Sequence, residues 1–236
     1  MQNNYIALVP AAGLGTRIGD ALPKQYLDVN GVPMIHHALA ALAAVARIRK
    51  VLVVLAPGDT HWQKFDWSGL GTFGAKVEVA HCGGPSRSMS VANGLDWLGA
   101  SAAPPQRNDW VLVHDAARPC IRKELIEQFL DELEADPIGG LLALPLTDTV
   151  KRADESQRVA VTVPREGLWR AQTPQMFRYA VLRDALAAMP QATDEAQAVE
   201  SLGHAPKLVT GDSTNLKVTF ASDMMLARIL LREGDA

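Results

Sequence analysis

Short apolar runs recur along this chain, separated by longer stretches whose apolar residues return with a helical period. "YIALVPA" (5–11), "KVLVVLA" (50–56), "KVEVAH" (76–81), "WVLVHDA" (110–116), "GGLLALPL" (139–146) and "PKLVTG" (206–211) read as strands. Between them, "MIHHALAALAAVARI" (34–48), "RSMSVANGLDWLG" (87–99) and "RKELIEQFLDELEA" (122–135) read as helices, as do the stretches near 178–189, 194–203 and from about 222. "SAAPPQRND" (101–109) reads as a loop. The strands are apolar without polar alternation, which is the pattern of a sheet covered on both faces. Alternating strands and helices then predict an α/β fold: three layers, Rossmann-like, with a mostly parallel sheet.

One stretch breaks this rhythm. "TDTVKRADESQRVAVTVPREGLWRAQ" (147–172) carries polar turns around an alternating "RVAVTV" and reads as a hairpin or β-arm inserted in the α/β body. The expectation is a single domain over 1–236 with an excursion at 147–172.

Composition narrows the function classes. The 236 residues fit one sizeable domain with a real core. A net charge of −3 gives no support for nucleic-acid binding, although a local basic pocket is compatible with it. Cys82 and Cys120 form neither a CxxC pair nor a disulfide framework and read as reduced thiols of a cytoplasmic protein. "MQNNYIALVP" lacks the features of a signal peptide, and the longest apolar run, 38–46, is too short to span a bilayer, so no membrane association is expected. The six histidines show no metal-ligand spacing.

The candidate chemistry starts at "LVPAAGLGTRIGDALPKQYL" (8–27), directly after the first strand. Ligands of such sheets bind beyond the carboxyl ends of the strands. Small residues there let backbone N–H groups approach a polyphosphate, and Gly13 and Gly15 permit unusual dihedrals. Arg17 and Lys24 can offset phosphate charge, one as a fork of donors and one as a point charge. A GxGxxG fingerprint would need glycine where Ile18 stands, and a P-loop would need GK[ST] where Thr16 and Arg17 follow Gly15. The plainer alternative is a glycine turn with two solvent-facing cations.

This loop resembles the signature of the sugar-phosphate nucleotidylyltransferases, most closely the cytidylyltransferases acting on 2-C-methyl-D-erythritol 4-phosphate. The likeness continues in order through "GG…R..SV.NGL" (83–95), "VLVHDAARP" (111–119), "DTVKR" (148–152), "VPREGLWRAQTPQ.F" (163–177), "TDEA" (193–196) and "NLKVT" (215–219). It implies a homodimeric, Mg²⁺-dependent enzyme that joins CMP from CTP to the polyol phosphate and releases pyrophosphate. It also implies roles for residues. Arg17, Lys24 and Lys217 would stabilise the transition state. Ala11, Ala12, Gly13, Gly83, Gly84, Ser90, Asp115 and Ala116 would hold the nucleotide, with Asp115 also near the metal. Arg118, Thr149, Arg165 and Thr193 would hold the acceptor, and the arm would reach the partner subunit.

Local alternatives stand beside these roles. Ser86 or Ser88 could simply cap a helix, and Thr193 could cap another. Asp115 and Arg118 could form a local ion pair, Lys217 could be a surface lysine, and 147–172 an ordinary polar hairpin. Two departures from the family pattern are visible. Pro85 offers no N–H after the two glycines, and "FASDMM" follows "KVT", which predicts a less rigid Lys217 loop. Rival functions are the same transfer to D-ribitol 5-phosphate, a dinucleotide oxidoreductase, which the glycine spacing disfavours, and a non-catalytic nucleotide-binding module, which three separate cations disfavour.

Overall fold

The computed structural model describes residues 4–13 and 22–233. In chain order it contains β1 (Tyr5–Pro10), β2 (Asp28–Val29), β3 (Val32–Pro33), α1 (Met34–Ala44), β4 (Ile48–Val54), β5 (Val77–Ala80), α2 (Arg87–Gly99) and β6 (Trp110–Val113). Then follow α3 (Lys123–Leu133), β7 (Gly139–Pro145), β8 (Val150–Ala153), β9 (Val159–Val163), β10 (Trp169–Arg178), α4 (Tyr179–Ala188), α5 (Glu195–Ser201), β11 (Lys207–Thr210) and α6 (Ala221–Glu233).

Among the described residues the central sheet has seven strands in the order β11-β7-β10-β6-β1-β4-β5. β1 pairs in parallel with β4 and β6, β4 with β5, and β7 with β11. β10 runs antiparallel to both neighbours, β6 and β7. Successive side chains of a strand face opposite ways, and β1 shows the result. Ala7 and Val9 pack with Ile35, Leu39 and Leu42 of α1 and Phe129 and Leu130 of α3 on one face. Ile6 and Leu8 pack with Val91 and Leu95 of α2, Leu182 of α4 and Val199 of α5 on the other. The three-layer α/β class expected from the apolar strands is the observed one.

Three local features depart from the expectation. α1 stops at Ala44 instead of reaching 48, because Val45 turns extended and Ile48 already begins β4. Asn30 and Gly31, both at positive φ, close a tight β2–β3 hairpin that the sequence reading did not single out. The third concerns the excursion. Its hairpin is β8 against β9, but from Trp169 the chain enters the central sheet as β10, pairing Trp169 with Pro145 and Arg170 with Leu144. Residues 169–172 therefore belong to the sheet as much as to the arm. Pro174 brings no N–H to the ladder, and the β10–β7 register shifts between Ala171 and Gln175.

Candidate active site

The carboxyl ends of β1, β5 and β6 open onto one cleft of about 650 Å³. Ala11, Ala12 and Gly13 leave β1 along its wall, with Ala11 N–H bonded to the carbonyl of Val54 (2.8 Å) and the Ala11 carbonyl accepting from buried Gln25 Nε2 (2.7 Å). Behind them, Gly83 N–H bonds the Leu55 carbonyl (2.8 Å). A Cβ on Gly83 would stand 2.2 Å from the Cβ of Ala12, so the two loops touch only because position 83 is glycine.

Gly84 then turns the chain into α2. Ser86 is the N-cap, its hydroxyl accepting from Met89 N–H (3.2 Å), as one local alternative anticipated. Ser90 is buried; its Oγ accepts from Gly84 N–H (3.0 Å) and donates to the Ser86 carbonyl (2.9 Å). Gly84, Ser90 and Arg87, the first residue of α2, line the cleft.

Asp115 and Ala116 follow β6 and line the same cleft with Lys24 and Lys217. Asp115 is gripped from two sides: Arg87 Nε lies 2.7 Å from Oδ1 and Lys217 Nζ 2.8 Å from Oδ2. Arg118 is more distant, with Nε at 3.9 Å, so the expected Asp115–Arg118 pair is the weakest of the three. Burial alone would raise the Asp115 pKa, but Arg87 and then Lys217 outweigh it and hold the carboxyl well below the usual carboxylate range. Arg87 also forks onto Glu195, with Nη1–Oε1 2.6 Å and Nη2–Oε2 3.0 Å.

The Asp115 backbone is fixed by a buried chain. Its N–H donates to Thr173 Oγ1 (3.0 Å), Thr173 Oγ1 lies 3.1 Å from His114 Nδ1, and His114 Nε2 lies 3.1 Å from the Arg118 carbonyl. A carbonyl only accepts, so Nε2 carries the proton, Nδ1 accepts from the threonine hydroxyl, and every group has a partner. Burial drives the His114 pKa down to about 4, which keeps the ring neutral in that arrangement at neutral pH.

The segment bearing Lys217 is anchored at both ends. Asn215 Nδ2 donates to the Thr173 carbonyl (2.8 Å), Arg118 Nη1 to the Asn215 carbonyl (2.7 Å), and Val218 N–H to the Ala117 carbonyl (2.8 Å). Asp223 Oδ2 accepts from Thr219 N–H and Phe220 N–H, each at 2.8 Å, so "FASDMM" still ties this segment to α6. Lys24 Nζ donates to the Val218 carbonyl (2.6 Å), which brings the two lysines to one side of the cleft.

The other expected residues that the structure describes lie outside the cleft lining. Arg17 falls outside the described residues. Gly83 stands behind the wall, and Arg118 is buried behind Asp115 with its Nε lacking a hydrogen-bond partner. Thr149 and Arg165 sit on the exposed arm, where Arg165 Nη1 donates to the Thr147 carbonyl. Thr193 is exposed, and the N-cap of α5 is its neighbour Asp194, whose side chain accepts from Gln197 N–H. Arg87, Glu195, His114 and Thr173 were not singled out from the sequence. Arg87 and Glu195 did fall within quoted motifs, but nothing local signals a pair 108 residues apart.

No group of three or more His, Cys, Asp or Glu residues able to hold a metal ion occurs among the described residues. Asp115 is the carboxylate among the described cleft-lining residues. Mg²⁺ commonly takes one or two carboxylates and completes its shell with phosphate oxygens and water. This donor set therefore fits an ion that arrives on a polyphosphate, not a protein-only cage.

Residues 5–233 match the family model described as IspD, 2-C-methyl-D-erythritol 4-phosphate cytidylyltransferase. The chain is 54% identical over 228 residues to the enzyme of that name from Dechloromonas aromatica, covering 97% of each chain. It is 52% identical to that of Nitrosospira multiformis, covering 97% of this chain and 98% of the other. Among solved structures it is similar to a 4-diphosphocytidyl-2C-methyl-D-erythritol synthase (37% identity, TM-score 0.84, 98% and 99% of the two chains). It is also similar to the cytidylyltransferase of Thermus thermophilus (33% identity, TM-score 0.76, 98% and 100%).

Proposed function

We propose, for a chain that belongs to the 2-C-methyl-D-erythritol 4-phosphate cytidylyltransferase family, that its reaction takes place in the cleft between β1, β5 and β6. The enzyme transfers a cytidylyl group from CTP to 2-C-methyl-D-erythritol 4-phosphate in the non-mevalonate route to isoprenoid precursors. The observation that carries the placement is the convergence of Lys24, Lys217, Arg87 and Asp115 on one cavity beside the Ala11–Gly13 turn.

An oxygen of the acceptor phosphate forms a new bond to the α-phosphorus of CTP, and the bond from that phosphorus to the departing pyrophosphate breaks. The acceptor phosphate is already ionised at neutral pH, so no general base is required. What the reaction needs is two anions held in line and donors where charge grows. In this reading Lys24 and Lys217 flank the reacting phosphates, and Arg17 joins them on the strength of its place in the motif. Ala11, Ala12, Gly13, Gly83, Gly84, Ser90, Asp115 and Ala116 shape the nucleotide side. Asp115 would hold a Mg²⁺ delivered with the triphosphate, which would offset charge on the leaving pyrophosphate.

For the acceptor we assign Arg118, whose Nε makes no hydrogen bond, together with Thr149, Arg165 and Thr193. The arm favours a two-fold dimer with shared sites. β8 and β9 form a two-stranded sheet of their own, and Val159 and Val161 are 64% and 47% exposed. Such a ribbon is marginal alone and gains cover from a second copy. Unpaired Cys82 and Cys120 accord with a reducing cytoplasm.

The test is pyrophosphate release from CTP with Mg²⁺, with 2-C-methyl-D-erythritol 4-phosphate and D-ribitol 5-phosphate offered in parallel. Turnover with the first alone is expected. Turnover with ribitol phosphate alone would overturn the acceptor assignment.

A further inference from the structure

Glu195 is completely buried, opens α5, and has no part in the reaction scheme above. Its two oxygens take both terminal nitrogens of Arg87, whose remaining Nε points to Asp115. One guanidinium thus joins two carboxylates, one at the start of α5 and one after β6. Arg87 itself lines the cleft. An unrestrained guanidinium there would fork onto an incoming phosphate or onto both Asp115 oxygens, since bidentate anion contacts are what that group favours. Glu195 occupies the terminal fork, and Nε is the Arg87 atom that bonds Asp115.

The Glu195 end of the pair is itself braced. Gln175 accepts from Ala196 N–H (2.8 Å) and donates to Asp194 (3.0 Å), and the Ser88 hydroxyl donates to the Pro190 carbonyl. The stretch carrying Thr193 is therefore tied to the first turn of α2.

We propose that Glu195 is a positioning residue for cytidylyl transfer. By holding the Arg87 fork it aims Asp115 at the nucleotide and locks the acceptor-side stretch 193–195 to the nucleotide side of the cleft. The inference rests on Asp115 serving the nucleotide. A buried ion pair is a poor source of net stability but can enforce one geometry.

The test uses steady-state kinetics of the full chain with CTP, Mg²⁺ and the polyol phosphate, alongside thermal melting. Glu195→Gln keeps the shape and should lower kcat about tenfold or more while CTP KM changes less than about threefold. Paired with Arg87→Lys it should be non-additive, the double variant lying within about twofold of the worse single variant. A purely structural residue would lower the melting temperature, leave kcat per folded enzyme intact and add independently. A folded Glu195→Gln enzyme with parental kcat overturns the proposal. Should that variant not fold, Arg87→Lys decides, because a lysine cannot reach both carboxylates: reduced kcat supports the proposal and parental kcat overturns it. Asp115→Asn separates the two levels. If it is impaired while Glu195→Gln is not, the positioning role alone falls; if Asp115→Asn turns over normally, the reading of Asp115 falls and the positioning role with it.

Discussion

Lys217 Nζ lies 2.8 Å from Asp115 Oδ2, so a lysine assigned to the reacting phosphates is also the counter-ion of the carboxylate assigned to the nucleotide. In that assignment, substrate phosphates and Asp115 would compete for one ammonium group. Lys217→Ala should lower kcat by roughly 10²-fold, with a smaller change in CTP KM, as expected for a donor that acts on the transition state. Lys24→Ala should behave alike. Loss confined to KM, in either variant, would reduce that lysine to a binding group.

The neutral, buried His114 makes stability depend on pH. Its pKa is about 4 in the folded chain, against about 6.5 when exposed. Between these values the unfolded chain binds the extra proton, so stability rises with pH across that window and is fully present above it. The contribution is on the order of 3 kcal/mol. Urea unfolding from pH 4 to pH 7 should show this slope, and His114→Gln should flatten it while lowering stability at pH 7. An unchanged slope in the variant would assign the effect elsewhere. Asp115 acts at lower pH: its depressed pKa stabilises the fold above the ordinary carboxylate value, and that contribution disappears as pH falls through the folded value.

Thr173 is the middle of the chain from Asp115 to His114. Thr173→Val keeps the shape but strands the Asp115 N–H and the acceptor nitrogen of His114, at a cost of about 1–3 kcal/mol. Thr173→Ser restores both bonds. Turnover should fall in the valine variant and recover substantially in the serine variant; equal behaviour of the two would remove the hydroxyl from the account.

Gly83→Ala places a methyl group against Ala12 Cβ and 2.8 Å from the Leu55 carbonyl. One loop must move. Urea denaturation should show a loss of about 1–3 kcal/mol, as overpacking does, and CTP KM should rise as the Ala11–Gly13 wall shifts.

A shared site predicts complementation. Lys24→Ala and Arg165→Ala subunits, each inactive alone, should regain activity when mixed and refolded together, because each heterodimer carries one intact site. Failure to regain any would place Thr149 and Arg165 within their own subunit's chemistry or outside it.

The layered sheet was legible because "YIALVP", "KVLVV" and "WVLV" are apolar on both faces. β10 was not. Its "RAQTPQ" carries the polar Gln172, Thr173 and Gln175, which break the apolar run of a buried strand, yet all three are buried because they bond the site's own backbone and side chains. Lys24 and Lys217 stood out within a distinctive loop and strand end. Arg87 and Glu195 did not: a lone arginine among serines and an acid in a first helical turn look like surface residues until the fold brings them together.

The arm leaves the sheet through β7 and returns through β10, so its length is set by strand pairing at its base. Trp169 faces Pro145 and Arg170 faces Leu144. A single residue added within 169–172 would turn the following side chains of β10 to the opposite face, pulling Thr173 from Asp115. The tip is free of this constraint. There Asp154 Oδ1 accepts from Ser156 N–H and Arg158 N–H (2.9 Å each) in an exposed turn with Gln157 at positive φ. Over evolutionary time, insertions and deletions should therefore accumulate at 155–157, and the same three positions are where a peptide tag or fluorescent label can be introduced without disturbing the strand pairing at the arm's base.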